Sequence, residues 1–209
     1  ASMRFVRPTL HRWTTRAAVL ALLAVVGALA AGVAWHVATL TPKRFVEVVP
    51  GRLYRSGAVT PAQLERLAAE RGIGRVISLL DPTAPQSIAE REAAARLGLV
   101  WENVPLRGDG SSVPADRERI LALLTEPNAP PTLVHCAAGV NRTGLAIGLY
   151  RIHCQGWSYE AVLEEMRRIG FEDREKHENL RAALREAAAL RDARAPQSPQ
   201  LGPSERKSP

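Results

Sequence analysis

"PTLVHCAAGVNRTGLAIGLYRIHC", residues 131–154, is the stretch whose reading decides the fold. Its first six residues form an apolar run that reads as a buried strand. From about residue 142 to 155 the pattern reads as a helix. Between them lies a turn carrying a cysteine, a glycine and an arginine. The same alternation extends outward in both directions. Upstream, "FVEVV" (45–49), "GRLYRSG" (51–57), "IGRVISLL" (73–80) and "LVWENVPL" (99–106) read as extended segments. "TPAQLERLAAERG" (60–72) carries a Thr cap, a Pro at the first helical position and a Gly stop, so it reads as a helix. "PQSIAEREAAARLG" (85–98) and "PADRERILALLTE" (114–126) are further helices, and "RGDGSSV" (107–113) is a glycine-rich loop. Downstream, "SYEAVLEEMRRIG" (158–170) reads as a helix capped by Ser158, and "DREKHENLRAALREAAALRDA" (173–193) as one long charged helix. Strands alternating with helices predict an α/β fold, with a mostly parallel central sheet flanked by helices. Ligands of such sheets bind outside the carboxyl ends of the strands, and Cys136 stands at such an end.

The chemistry of that turn follows from its spacing. Five residues separate Cys136 from Arg142. A loop of that length, closing onto a helix start, turns successive backbone N–H groups inward and makes an anion nest reinforced by the helix dipole. Ala137, Ala138, Gly139, Val140 and Asn141 line the nest, and Gly139 permits backbone angles that a Cβ would resist. Arg142 closes the ring with a two-pronged fork to phosphate oxygens. In that positive field the Cys136 thiolate is stabilised, so its pKa is expected well below the free value of about 8.5. Thr143 is placed to donate its hydroxyl to the sulfur, and His135 to orient the loop through its ring nitrogens.

A thiolate that attacks phosphorus expels an alkoxide or phenoxide, which needs a proton. Asp109, in "PLRGDGSSVP" (105–114), directly follows a strand and has glycines on both sides, which makes it the expected acid. Asp116 is the reserve, although acids are common in a first helical turn for dipole reasons. Asp81, at the end of "VISLL" (76–80), is a third possibility.

"HCAAGVNRTG" (135–144) resembles the signature loop of the cysteine-dependent protein tyrosine phosphatase superfamily, above all its compact dual-specificity members. The resemblance covers about residues 45–170. "GRLYRSGAVTPAQLERLAAERGIGRVISLL" (51–80) is similar to the opening of bacterial and fungal members, and "PLRGDGSSVP" stands where they carry a general-acid loop. The resemblance implies a phosphocysteine intermediate at Cys136, hydrolysed by water with the acid now acting as base. It implies no metal and no cofactor. The phosphoinositide-specific branch tends to carry lysines inside the loop. Here the variable positions are uncharged, which favours a phosphotyrosine-like or singly phosphorylated substrate over an inositol or lipid phosphate. Arg107 reads as a solvated arginine at the rim, and Arg55 and Ser56 as structural residues near the loop.

Residues 17–35, "AAVLALLAVVGALAAGVAW", are an unbroken apolar run. As a helix they rise about 28 Å, roughly a bilayer's hydrocarbon core. Trp13 and Trp35 flank the run where interfacial aromatics sit. The organisation expected is a basic flank (1–16), a membrane anchor (17–40), a phosphatase domain (41–192) and a disordered Pro- and Ser-rich tail (193–209). A cleaved signal peptide is the rival reading of the anchor, with Ala28-Leu29-Ala30 as its cleavage site. Four arginines precede the run and Lys43, Arg44, Arg52 and Arg55 follow it, so the simple count ties. The last two fall in the folded domain and count for less, which favours a cytoplasmic N-terminus and a domain outside, although an oxidising compartment endangers a thiolate.

The chain's 209 residues carry a formal charge of +7. Four arginines, with no acid, precede the apolar run, which leaves the folded part at +3. No clustered basic stripe with interleaved aromatics signals a nucleic-acid partner. Cys136 and Cys154 would be held about 18 Å apart by the helix between them, whereas a disulfide needs roughly 7 Å. Both read as free thiols, and Cys154 as a packed hydrophobe. Two other classes use a similar loop: a catalytically silent phosphate-binding module, and a sulfur transferase of the rhodanese type. The Thr-Gly continuation and the Asp109 loop argue against the second.

Overall fold

The computed structural model describes residues 11–194. It divides into two units, described separately: one ends at Thr41 and the other begins at Pro42. The basic flank before His11 and the tail after Arg194 lie outside the described residues.

The first unit is helix α1 (His11–Leu40). The side chains of residues 16–33 are exposed to the surroundings. Its segment Arg16–Val33, with a mean hydropathy of 2.2, is long and apolar enough to cross a membrane.

The second unit is a three-layer α/β sandwich. Five short strands, β1 (Val46–Val49), β2 (Leu53–Ser56), β3 (Arg75–Ser78), β4 (Val100–Asn103) and β5 (Thr132–His135), pair in the order β1-β2-β5-β3-β4. All the pairings are parallel except β1 with β2, which makes β1 an antiparallel edge. The strand containing the decisive stretch is therefore the centre of the sheet. Alternation along β5 feeds two cores, because successive side chains point to opposite faces. Leu133 joins Val76, Leu64 and Leu67 under α2 (Pro61–Arg71) and α3 (Pro85–Arg96). Val134 joins Ile77, Leu145 and Ile147 under α4 (Pro114–Thr125), α5 (Asn141–Gln155), α6 (Tyr159–Arg168) and α7 (Glu178–Arg194). Both faces are covered, as a parallel sheet requires.

Local chemistry sets the helix ends. Thr60 Oγ1 accepts from the Gln63 amide at 3.2 Å, and Gln63 Oε1 accepts from the Thr60 amide at 2.9 Å. This reciprocal box satisfies two otherwise unpaired amides at the start of α2. Ser158 Oγ accepts from the Ala161 amide at 3.2 Å and starts α6.

Two expectations need correction. The charged stretch from residue 173 does not enter one helix. Phe171 and His177 are buried, and His177 Nδ1 lies 2.8 Å from the Glu172 carbonyl oxygen. These contacts hold 171–174 as loop and Glu175–His177 as a single 3-10 turn, so α7 begins only at Glu178. Cys154 is not packed: it is free but exposed, in the last turn of α5, beyond the buried Ile152.

Candidate active site

Register brings the site together. His135, the last residue of β5, is paired with Ser56 of β2 on one side and Ser78 of β3 on the other. Three strand ends thus form a floor, and Cys136 is the first residue beyond it. Its side chain is buried. The loop from Cys136 to Val140 then climbs to α5, whose first residues are Asn141 and Arg142.

The four carbonyls from Ala137 to Val140 each have a partner outside the cavity. The Ala58 amide donates to Ala137 O at 3.1 Å, and Arg44 Nη1 to Ala138 O at 3.0 Å. Arg55 Nη2 donates to Gly139 O at 2.7 Å, and the Gly144 amide to Val140 O at 2.7 Å. With the carbonyls committed, the amides are left for the cavity, which is the geometry of an anion nest. Gly139 makes the turn possible: its φ is +72°, and a Cβ would lie 2.6 Å from the Gly57 amide nitrogen. Neither the left-handed angle nor the space accommodates a side chain.

The electrostatics favour a thiolate. Burial is the largest single influence on Cys136 and pushes its pKa up. Against it act the Thr143 hydroxyl and amide, the Arg142 charge and the Gly139 amide, and their combined effect holds the thiol below its ordinary value. The Thr143 hydroxyl is buried without a nitrogen or oxygen partner among the described residues, so it is uncommitted apart from the sulfur. Arg142 Nη1 rests 3.3 Å from Leu79 O and 3.4 Å from Leu106 O, in the segments that follow β3 and β4. These bonds aim the guanidinium across the nest and leave other N–H groups for a ligand.

His135 is fully buried, and its Nε2 lies 2.8 Å from Glu90 Oε2. Trp101 Nε1 donates to the other Glu90 oxygen at 2.8 Å. Both ring nitrogens of His135 are buried without a well-aligned hydrogen bond, so the ring meets the buried carboxylate at close range behind Cys136.

The acid loop is less committed to the site. Gly108 lines the cavity above Cys136, whereas the Asp109 carboxylate turns to its own backbone. Asp109 Oδ1 accepts from the Ser111 amide at 2.9 Å and from Ser111 Oγ at 2.7 Å. These bonds, amide first, hold the carboxyl below the usual carboxylate range. The alternatives are engaged elsewhere: Asp81 Oδ1 accepts from Thr83, and Asp116 Oδ2 accepts from the Val113 amide. Arg107 is exposed, and its charge acts on Asp109.

The cavity over the thiol measures about 260 Å3. Cys136, Ala137, Ala138, Val140, Asn141 and Arg142 form its base. Its far wall, including Arg174, Lys176 and His177, comes from the segment expected to be helical. Another groove, between α4, α5 and α7, is lined by Leu121, Leu149 and Leu190 and lies away from the thiol.

Arg55, expected as a structural residue near the loop, is only 1% exposed and donates to Gly139 O; burial pushes its pKa down to about 10, against the opposing charges of Glu165 and the Cys136 thiolate. Sequence reasoning missed other residues. Arg44 bridges Ala138 O and Ile169 O. Charge spacing held no signal for Arg44, Arg174 and Lys176.

Comparisons with known proteins agree with this geometry. The dual specificity protein phosphatase TpbA of Pseudomonas aeruginosa is 42% identical over 76 residues, which are 34% of this chain and 35% of that protein. The chain thus matches about a third of the length of this curated relative. The crystal structure of TpbA has a TM-score of 0.55 at 30% identity, covering 68% of this chain and 86% of that one. The core catalytic domain of the phosphatase SIW14 of Saccharomyces cerevisiae, in complex with citrate, has a TM-score of 0.60 at 25% identity, covering 73% and 92%. Residues 39–192 match the model of the tyrosine phosphatase family. With its cysteine and arginine set at the end of the central strand of that fold, the chain belongs to the tyrosine phosphatase family.

Proposed function

We propose that the protein is a phosphatase that hydrolyses phosphate monoesters, of the phosphotyrosine or dual-specificity type, through a phosphocysteine intermediate. One observation carries this reading: a buried sulfur is held below its ordinary pKa by Thr143, Arg142 and loop amides at the base of an open cavity.

The substrate phosphate enters the nest and takes the loop amides and the Arg142 fork. The Cys136 thiolate attacks phosphorus as the bond to the leaving oxygen breaks. Asp109, released from Ser111, gives that oxygen a proton. The carboxylate so formed then takes a proton from a water that attacks the phosphocysteine. Phosphate leaves and the thiolate returns, with Thr143 stabilising it as a leaving group. Electrostatic stabilisation by preorganised donors is the largest contribution expected in such a site. Glu90, His135 and Arg55 position the loop.

A silent binding module would not require an ionised thiol. Steady hydrolysis of an aryl phosphate, vanadate inhibition and a trapped phosphocysteine, all lost in Cys136→Ser, are the expected results. Phosphate binding without turnover by the unaltered chain would overturn the enzymatic reading.

The far wall favours a second substrate class. Arg174 and Lys176 supply cations that the loop lacks, although Arg174 is ion-paired with Glu172. The curated relative SIW14, 26% identical over 136 residues, is an inositol diphosphatase; the match covers 63% of this chain and 47% of that protein. Side-by-side rates on a phosphotyrosine peptide and an inositol polyphosphate decide between the classes. Preference for the second, lost in Arg174→Ala, would overturn the phosphotyrosine assignment.

We read α1 as a membrane anchor, with the N-terminus cytoplasmic and the catalytic unit outside. Retention in the membrane fraction after alkaline extraction is expected. Release, with a mature chain beginning near Ala31, would establish a cleaved signal instead.

A further inference from the structure

The proposed reaction requires Asp109 to approach the sulfur's substrate, yet gives no role to two side chains of the cavity wall. His177 is 5% exposed, with its ring against Phe171 at a centroid separation of 5.2 Å. Its Nδ1 lies 2.8 Å from the Glu172 carbonyl oxygen. A carbonyl only accepts, so Nδ1 carries the hydrogen, and in the neutral ring Nε2 is left as an acceptor. Opposite Nε2, at 3.2 Å, is Asn141 Nδ2. The same Nδ2 lies 3.3 Å from Gly108 O.

The amide has two hydrogens and two acceptors to fill. Turned over, its oxygen would face the Gly108 carbonyl, acceptor against acceptor. The chain of bonds therefore has one direction: His177 Nδ1–H to Glu172 O, Asn141 N–H to His177 Nε2, and Asn141 N–H to Gly108 O. Gly108 immediately precedes Asp109. The loop's other side rests on the same segment. Asn179 Nδ2 donates to Ser111 Oγ at 3.4 Å, and Gly110 sits so close to Leu180 that a Cβ would lie 2.4 Å from Cδ1.

We propose that His177 and Asn141 are positioning residues: His177 aims the Asn141 amide at the Gly108 carbonyl, and this bond sets the height of the Asp109 loop over the phosphocysteine site. The proposal rests on the phosphatase reading with Asp109 as the acid. Asn141 thus joins the acid loop to the phosphate loop through its side chain. His177 acts without touching the phosphate.

The test compares phenyl phosphate, a poor leaving group, with nitrophenyl phosphate, a good one, using the full chain. General acid catalysis contributes about 10²–10⁴-fold where the leaving group needs the proton, so His177→Leu is expected to lower the phenyl-to-nitrophenyl ratio of kcat/KM by about tenfold. His177→Gln presents an amide oxygen near the position of Nε2 and restores the ratio. Asn141→Ala lowers it again, on top of any loss common to both substrates. The pH profile of Cys136 alkylation stays in place in both His177 variants. Because the reading is a ratio, it does not depend on the fraction of each variant that folds. Equal losses on both substrates, or Gln behaving as Leu, overturn the proposal while the phosphatase reading stands. An unaltered chain that hydrolyses neither substrate, or an Asp109→Asn variant with an unchanged ratio, overturns the underlying reading and this proposal with it.

Discussion

The phosphate loop and the acid loop face each other across one cavity and are built in opposite ways. Between Cys136 and Arg142 four successive carbonyls are anchored, two of them by arginines, at 2.7–3.1 Å. Around Asp109 the ties to neighbouring elements are long: 3.3 Å from Asn141 to Gly108 and 3.4 Å from Asn179 to Ser111. The short bonds there are internal, from Ser111 to Asp109 itself. In the proposed reaction the difference matches two tasks. A nest must be finished before the substrate arrives, because reorganising dipoles during the reaction is costly. An acid must let substrate in and then approach it, so it rests on a loop whose resting bonds are weak enough to exchange.

The most severe way to break the comparison is at the nest. Arg142→Lys keeps the charge but loses the planar fork. By analogy with the loss of one preorganised donor, it is expected to lower kcat/KM about 10²–10³-fold. The loss should be equal for good and poor leaving groups, because the fork holds the phosphate rather than the leaving oxygen. A loss confined to poor leaving groups would place Arg142 on the acid's side of the cavity.

Asp109→Asn addresses the other side. Its effect on phenyl phosphate is expected near the lower bound for general acid catalysis, about 10²-fold, and on nitrophenyl phosphate only a few-fold. The sign of the pH dependence follows from the two shifts. Cys136 must be ionised, and its pKa lies below the ordinary thiol value. Asp109 must be protonated, and its pKa also lies below the ordinary value. Ionisation of Cys136 favours activity as pH rises and ionisation of Asp109 opposes it, so lowering both shifts the activity profile to lower pH than the ordinary values of the two groups would give. Ser111→Ala removes the hydroxyl donor and moves the limb that belongs to Asp109 to higher pH. The alkylation profile of Cys136 should stay in place. Movement of both together would mean that the two loops are coupled more tightly than their hydrogen bonds indicate.

The same contrast explains which features were legible in sequence. The sheet was readable because apolar runs such as "VISLL" and "PTLVHC" alternate with capped helices, and Thr60 and Ser158 do cap them. The nest was readable because the spacing of Cys136, Gly139 and Arg142 is itself the geometry. Of its anchors only Arg55 was expected near the loop, and which carbonyl it or Arg44 holds was not legible, since both act about ninety residues away in the chain. Asp109 was proposed as the acid from its place after a strand, and its resting bond to Ser111 depends on a local turn that periodicity cannot report. The segment "FEDREKHE" (171–178) misled for a physical reason. Only Phe171 and His177 are buried there, six residues apart, and charges between them fit a helix surface as well as a loop. Its lining of the cavity wall is a tertiary fact.

The smallest effect is expected where neither loop is touched. Thr60 caps α2, on the face of the sheet with α3. Replacing it with Ala removes one hydroxyl acceptor and leaves the Gln63 amide unpaired. Loss of such a cap costs about 1 kcal/mol of stability, which for a domain of this size lowers Tm by roughly 2–4 °C. At 25 °C the folded fraction is nearly unchanged, so kcat/KM on both aryl phosphates should remain within error. The leaving-group ratio should not move at all. This variant therefore separates instability from chemistry: an altered ratio in Thr60→Ala would mean that loosening the sheet's far face reaches the acid loop. The ratio could then no longer be assigned to bonds around Asp109 alone. An unchanged ratio leaves those bonds as its source.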